Sequence, residues 1–191
     1  MFDTVLIAGL GLMGGSMAKT IKARTLSRVL GWNRTRATAE QALADGSIDA
    51  IATEALYKEA DLVIIGLYPQ ATVDWLLENM PKMKKGCVIV DMVGVKQFMV
   101  DHLDKAALDA GVHFVGGHPM AGREFSGLDF ALPTLSDGAS MIFVPTKSST
   151  ERILSQLEAY FMSLGFGQTV RCTAEQHDHM IAFTSQLAHV V

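Results

Sequence analysis

The sequence predicts a doubly wound α/β fold with a mostly parallel sheet. Three observations carry this. Apolar strand-like runs alternate with helix-like segments from residue 2 to residue 115. The run Asp61-Leu62-Val63-Ile64-Ile65-Gly66-Leu67 is almost continuously apolar, as expected of a strand covered on both faces. A glycine-rich turn, Gly9-Leu10-Gly11-Leu12-Met13-Gly14, directly follows the first strand run and opens a helix.

Phe2 to Ala8 reads as the first strand. Gly14 to Ala23 reads as a helix, with Met17, Ala18 and Ile21 at helical spacing. Val29 to Trp32 is a short second strand, and Asn33-Arg34-Thr35 is the loop at its C-terminal end. Thr35 to Asp45 is an alanine-rich helix that Gly46 closes. After the Asp61–Leu67 strand, Pro69 opens a helix that runs to Met80, with Val73, Leu76 and Leu77 apolar. Cys87 to Val90 is the next strand, ending at Asp91. Asp91 is expected to cap the following helix or to bond nearby backbone. Val95 to Ala110 is a helix stopped by Gly111, and Val112 to Val115 is a short strand. Ser140 to Val144, Thr150 to Leu164 and Gly167 to Val170 follow as strand, amphipathic helix and strand. Thr173 to Val191 is a helix that grows more apolar along its length, which predicts that it packs on a further element.

Bulk properties restrict the function. The chain has 191 residues, 49% of them hydrophobic and 19% charged, as in a soluble globular protein of one domain or one plus a fragment. A net charge of −4 gives no reason to expect nucleic acid or an anionic membrane as partner. No apolar run is long enough to span a bilayer, and no signal peptide is expected. The two cysteines, Cys87 and Cys172, lie far apart, with Cys87 in a strand run. A buried free thiol, a reducing cytoplasm and no disulfide framework follow. His177 and His179 stand two apart on a helix and point to different faces, so no metal site is expected. His177 and Asp178 are read as capping or orienting their own helix start.

The glycine turn fits a dinucleotide. Gly9 would make the tight turn off the strand. Gly11 would let the backbone approach a pyrophosphate, and Gly14 would let the helix pack on the sheet. The N–H groups of the first helical turn, at Leu12 and Met13, would face the phosphates. Leu67, Tyr68 and Pro69, past the next strand end, would line the nicotinamide-ribose side. The residue expected to bind the adenine ribose is Asn33 rather than an acid, and Arg34, Thr35 and Arg36 follow. That set favours NADP over NAD, although an asparagine also suits an unphosphorylated ribose.

A second constellation begins past the strand at residue 115: Gly116-Gly117-His118-Pro119-Met120-Ala121-Gly122-Arg123-Glu124-Phe125-Ser126-Gly127. It falls where open α/β sheets bind ligands, and a histidine held in a fixed turn can exchange a proton near neutral pH. His118-Pro119-Met120-Ala121-Gly122, with Glu124 and Ser126-Gly127, resembles the signature of the prephenate dehydrogenase family, which includes the arogenate dehydrogenases. The opening Gly9-Leu10-Gly11-Leu12-Met13-Gly14-Gly15-Ser16 and the late stretches Gln176-His177-Asp178 and Thr184-Ser185-Gln186-Leu187-Ala188-His189 are similar too. The resemblance covers essentially the whole chain in matching order.

The resemblance implies a Rossmann-like domain and an oxidative decarboxylation in tyrosine biosynthesis. Hydride would leave ring carbon 4 of prephenate, or of arogenate, for NAD(P), and carbon dioxide would leave carbon 1. His118 would polarise the 4-hydroxyl. Glu124 would stand at the edge of the substrate pocket, with Ser126 and His189 also near the substrate. Arg123 is a candidate partner for a substrate carboxylate. The chain departs from the family pattern at three places. Gly94, in Asp91-Met92-Val93-Gly94-Val95-Lys96, replaces a serine expected between the histidine and the nicotinamide end of the cofactor site. Gln186 and Ala188 replace a histidine and a proline. The helical dimerisation domain that follows in the family is not in this sequence. Residues 1–170 are therefore expected to form the dinucleotide-binding domain, and residues 171–191 the first helix of a helical domain that makes a homodimer. The competing readings are a β-hydroxyacid dehydrogenase or imine reductase, and a non-catalytic dinucleotide-binding regulator.

Overall fold

The computed structural model describes residues 2–187, with side chains to residue 183. Eight strands form one sheet in the order β3-β2-β1-β4-β5-β6-β7-β8. They are β1 (Thr4–Ala8), β2 (Arg28–Trp32), β3 (Ala50–Ile51), β4 (Leu62–Ile65), β5 (Val88–Asp91), β6 (His113–Pro119), β7 (Ser140–Val144) and β8 (Gln168–Arg171). All pairings are parallel except β6 with β7. Seven helices accompany them among the described residues: α1 (Leu12–Arg24), α2 (Arg36–Ala44), α3 (Glu54–Tyr57), α4 (Pro69–Asn79), α5 (Gln97–Ala110), α6 (Glu151–Ser163) and α7 (Ala174–Leu187).

The apolar strand runs divide by alternation between two cores. Val5, Ile7, Leu62, Ile64, Val88 and Val90 face one layer with Met17, Ile21, Leu157 and Phe161. Leu6, Ala8, Val63, Ile65 and Ile89 face the other with Val73, Leu76, Met99 and Leu103. Helices α1, α2 and α6 thus cover one face, and α3, α4 and α5 the other. The short β3 and α3 have too few residues to show a period, and no sequence signal predicted them.

Two expectations change. The strand predicted to stop at Val115 continues to Pro119, because β7 pairs antiparallel with its second half and places Ile142 opposite His118. His118 therefore stands on a strand rather than in a loop. A Cβ on Gly117 would overlap the carbonyl oxygen of Asp91, so glycine is what allows β6 to pass there. Asp178 does cap a helix, but α5 rather than its own. Its carboxylate accepts the N–H groups of Lys96 at 2.7 Å and Gln97 at 2.9 Å. Burial works against its charge, but these two bonds and His177 together hold its carboxyl below the usual range.

The order β3-β2-β1-β4-β5 puts a topological switch point between β1 and β4. The connections diverge there, with α1 after β1 and α4 after β4 on opposite faces of the sheet, and this leaves a crevice past the two strand ends. The glycine turn after β1 sits at its mouth.

Candidate active site

Gly9 leaves β1 with a φ of 95°, and a Cβ there would lie 2.7 Å from the carbonyl oxygen of Gly66 at the end of β4. A Cβ on Gly14 would overlap the carbonyl oxygen of Gly9, so α1 starts directly against the turn. Around Gly11 the opposite holds, since a Cβ there meets nothing within 4 Å and the space over the turn is open. No side chain caps α1, and its first turn carries no acidic residue. The free N–H groups and positive dipole end are thus presented to that space, as a pyrophosphate requires.

Two adjoining clefts share Gly11, Gly66, Leu67 and Tyr68. The first, of about 430 Å³, is lined by the Asn33-Arg34-Thr35 loop, by Trp32, and by Asp74 and Glu78 of α4. The second, of about 270 Å³, is lined by Leu12, Met13, Met92 and Ser126. Gly14 and Pro69 lie beside these clefts, packing and starting helices. Asn33 is a strut: its Oδ1 accepts the Leu10 N–H at 3.0 Å, and its Nδ2 donates to the Thr35 carbonyl at 3.1 Å. Arg36 does not line the cleft and pairs with Glu40 at 2.7 Å. Of the two arginines predicted to favour a 2′-phosphate, Arg34 alone lines it, opposite the carboxylates of Asp74 and Glu78. Those carboxylates come from a helix some forty residues onward, and nothing in the second-strand loop announces them.

Phe125, Ser126 and Gly127 of the 121–127 loop line the second cleft. The segment after it is tied to α1: Ser16 Oγ accepts the Leu132 N–H at 3.0 Å, and Thr20 Oγ1 donates to the Pro133 carbonyl at 2.9 Å. Leu128 packs on Gly15, where a Cβ would come within 2.6 Å of it. Phe125 stacks on Phe130 with ring centroids 4.8 Å apart, which carries Ser126 to the cleft. Arg123 lies over the Phe125 ring at 5.6 Å, and both Arg123 and Glu124 are exposed on the loop rather than lining either cleft.

His118 is half-buried at the end of β6. Its Nδ1 lies 2.8 Å from His177 Nε2, and His177 Nδ1 lies 2.7 Å from Asp178 Oδ1. The opposite edge of the ring faces Gly94, where a Cβ would sit 3.7 Å from Cε1 and 3.8 Å from Nε2. The position expected to carry serine therefore is beside the histidine, and glycine puts no side chain against that edge. Burial above all drives the His118 pKa down to about 4; the Lys96 charge, and any proton that would make His177 cationic, act the same way, and Asp178 acts in the other direction. The ring is neutral at physiological pH.

Close enough to act on the histidine lies a group that composition and pattern did not reveal. Asp91, at the end of β5, and Lys96 are both fully buried and paired. Asp91 Oδ1 takes the Lys96 ammonium and also the Val93 N–H at 2.8 Å, so the expected backbone bond is present with a cation added to it. Burial pushes the Asp91 carboxyl up and the Lys96 amine down, while each partner's charge works against the other's shift.

Residues 17–168 match the family model for the nucleotide-binding domain of prephenate dehydrogenase. The chain belongs to the prephenate dehydrogenase family. It is 34% identical over its whole length to a prephenate dehydrogenase of Bacillus subtilis, of which it spans 52%. It is 30% identical over its whole length to a cyclohexadienyl dehydrogenase of Zymomonas mobilis, of which it spans 65%. The crystal structure of Synechocystis arogenate dehydrogenase superposes with a TM-score of 0.87 at 26% identity, covering 96% of this chain and 64% of that one. The chain thus spans roughly half to two thirds of these relatives.

Family membership favours the dehydrogenase reading over the imine reductase and β-hydroxyacid dehydrogenase readings. Of the predicted site residues, the structure brings Gly9, Gly11, Leu12, Met13, Asn33, Arg34, Thr35, Leu67, Tyr68 and Ser126 to the clefts, and sets Gly94 against His118. His189 lies outside the described residues. His177 escaped the sequence reading as a partner of His118, because its neighbour in space is 59 residues away in the chain. Among the described residues no helix is long and apolar enough to cross a membrane.

Proposed function

We propose that this chain is the cofactor-binding part of an NAD(P)-dependent prephenate dehydrogenase that converts prephenate to 4-hydroxyphenylpyruvate and carbon dioxide. The observation that carries this is a neutral, half-buried His118 whose Nε2 edge lies against Gly94, where no side chain stands beside the ring. Residues 1–170 form the dinucleotide-binding domain in this reading. Residues 171–191 begin a helical domain through which a cytoplasmic homodimer would assemble.

Gly11 and the uncapped start of α1 bind the pyrophosphate, and Asn33, Arg34 and Thr35 hold the adenosine ribose. Bound NAD(P) supplies the hydride acceptor. His118 Nε2 accepts the proton of the 4-hydroxyl as carbon 4 gives up its hydride and the carbonyl forms. The carbon–carbon bond to the ring carboxylate then breaks, its electrons aromatise the ring, and the borrowed proton returns to the phenol oxygen. The chain need supply no strong base, because aromatisation drives the reaction. It must exclude water and hold carbon 4 against the nicotinamide. Glu124, Arg123 and His189 serve the substrate side in this reading.

Arg34 decides between the cofactors. It offers a guanidinium to a 2′-phosphate and favours NADP, while Asp74 and Glu78 across the cleft oppose that phosphate. The similarity to a cyclohexadienyl dehydrogenase and to an arogenate dehydrogenase keeps arogenate as a second substrate to test. The full-length protein is assayed with prephenate and arogenate and with each cofactor, following nicotinamide absorbance. Reduction with prephenate is expected. No reduction in any of the four combinations would leave a non-catalytic dinucleotide-binding protein as the better reading.

A further inference from the structure

Asp178 is fastened to the start of α5 by two backbone N–H groups, and its carboxylate can only accept hydrogen bonds. The contact with His177 Nδ1 at 2.7 Å therefore requires a proton on that nitrogen. A neutral His177 then has an unprotonated Nε2, which can only accept. The 2.8 Å contact from His118 Nδ1 to that atom requires the His118 proton to sit on Nδ1. Nε2 of a neutral His118 is left with its lone pair free. Among the described residues, no hydrogen bond engages that nitrogen, and it lies on the edge that faces Gly94. His177 is fully buried, so no water competes for its two bonds. His179, two residues on, is exposed and takes no part in the chain.

We propose that His177 and Asp178 are positioning residues that lock His118 in the Nδ1–H tautomer and hold Nε2 ready to accept. On the reading that His118 meets the substrate hydroxyl, this makes the N-terminus of α5 the anchor of the catalytic ring. The sequence runs from helix N–H groups to Asp178, to His177, to His118. It compensates for Gly94, since a chain without a side chain there must fix the imidazole from its other edge.

The tautomer is read directly by long-range nitrogen–proton NMR of the histidine rings in the full-length protein, and turnover is measured beside it. The wild type is expected to show His118 with its proton on Nδ1. Asp178→Asn offers an amide N–H to His177 and can reverse the whole chain. It is expected to move His118 toward the Nε2–H form. The kcat should then fall by as much as the general acid–base contribution, about 10²–10⁴-fold, with the cofactor dissociation constant unchanged. His177→Gln keeps an acceptor for His118 Nδ1 and should retain far more activity than His177→Leu, which keeps none. A wild-type His118 protonated on Nε2 would overturn the proposal. So would an unchanged tautomer and kcat in both Asp178→Asn and His177→Leu. A wild type that reduces no cofactor would instead sink the dehydrogenase reading, while the tautomer in wild type and Asp178→Asn would still decide the positioning role.

Discussion

Replacing Lys96 with methionine should destabilise the fold far more than any surface charge change, and the structure sets the scale. Lys96 and Asp91 are both fully buried, and besides the ammonium Asp91 Oδ1 takes the Val93 N–H. Removing the ammonium strands a carboxylate in the core, an effect of about 3–5 kcal/mol. Against a total stability of about 5–15 kcal/mol, that is a large share. For a domain of this size it lowers the melting temperature by about 6–20 °C. Asp91→Asn alone should be similarly harmful, since it leaves the lysine unpaired. The double variant Asp91→Asn/Lys96→Met removes both charges and keeps an acceptor for Val93, so it should lose much less than the sum of the two. Urea unfolding followed by Trp32 and Trp75 fluorescence measures all four proteins in one cycle. A Lys96→Met loss below about 1 kcal/mol, or single effects that simply add, would refute the claim that this pair is coupled in the core.

The low His118 pKa has a kinetic consequence. A ring that must be neutral to accept a proton loses activity as pH falls through its pKa, so the acid limb of kcat/KM should lie near pH 4. A limb at about 6.5, the unperturbed value, would show that burial does not act on the working ring. Gly14→Ala should destabilise the apoprotein by about 1–3 kcal/mol or more, because the overlap with Gly9 outweighs the gain in helix propensity. Gly11→Ala should leave unfolding unchanged, since its Cβ enters open space, yet weaken cofactor binding in a fluorescence titration. Equal effects at the two positions would contradict the roles assigned to them. Arg34→Ala should raise KM for NADP by about tenfold, the worth of one exposed charge-assisted contact, and leave NAD nearly unaffected. A parallel rise for both cofactors would remove Arg34 as the discriminating residue.

Interactions between near neighbours in the chain were legible as residues. The apolar runs, the caps at Gly46 and Gly111 and the glycine turn each depend on positions a few residues apart, and so did the fold class. Gly9 had to be glycine for a turn with positive φ, and Gly14 for a close approach, and both requirements are local. The cofactor clefts were half legible. Asn33, Arg34, Thr35, Leu67 and Tyr68 follow strand ends that the sheet brings together, but Asp74 and Glu78 reach the cleft from the middle and last turn of α4. The pairing of β6 with β7 was not legible, since antiparallel registry depends on which edge the chain returns to.

The site's electrostatics belonged wholly to the tertiary structure. His118 and His177 are 59 residues apart, and Lys96 and Asp178 are 82 apart. Residue types at such separations carry no distance until the order of strands is known. Residue types and local spacing were enough for a dinucleotide turn, a mostly parallel sheet and a histidine near a strand end, though they left that histidine in a loop. The folded chain alone reveals that burial keeps this histidine neutral, that its Nδ1 meets His177, and that a buried lysine acts on it. Hydrogen bonds and buried charges act over a few ångströms, and it is the sheet order that brings those residues within that range.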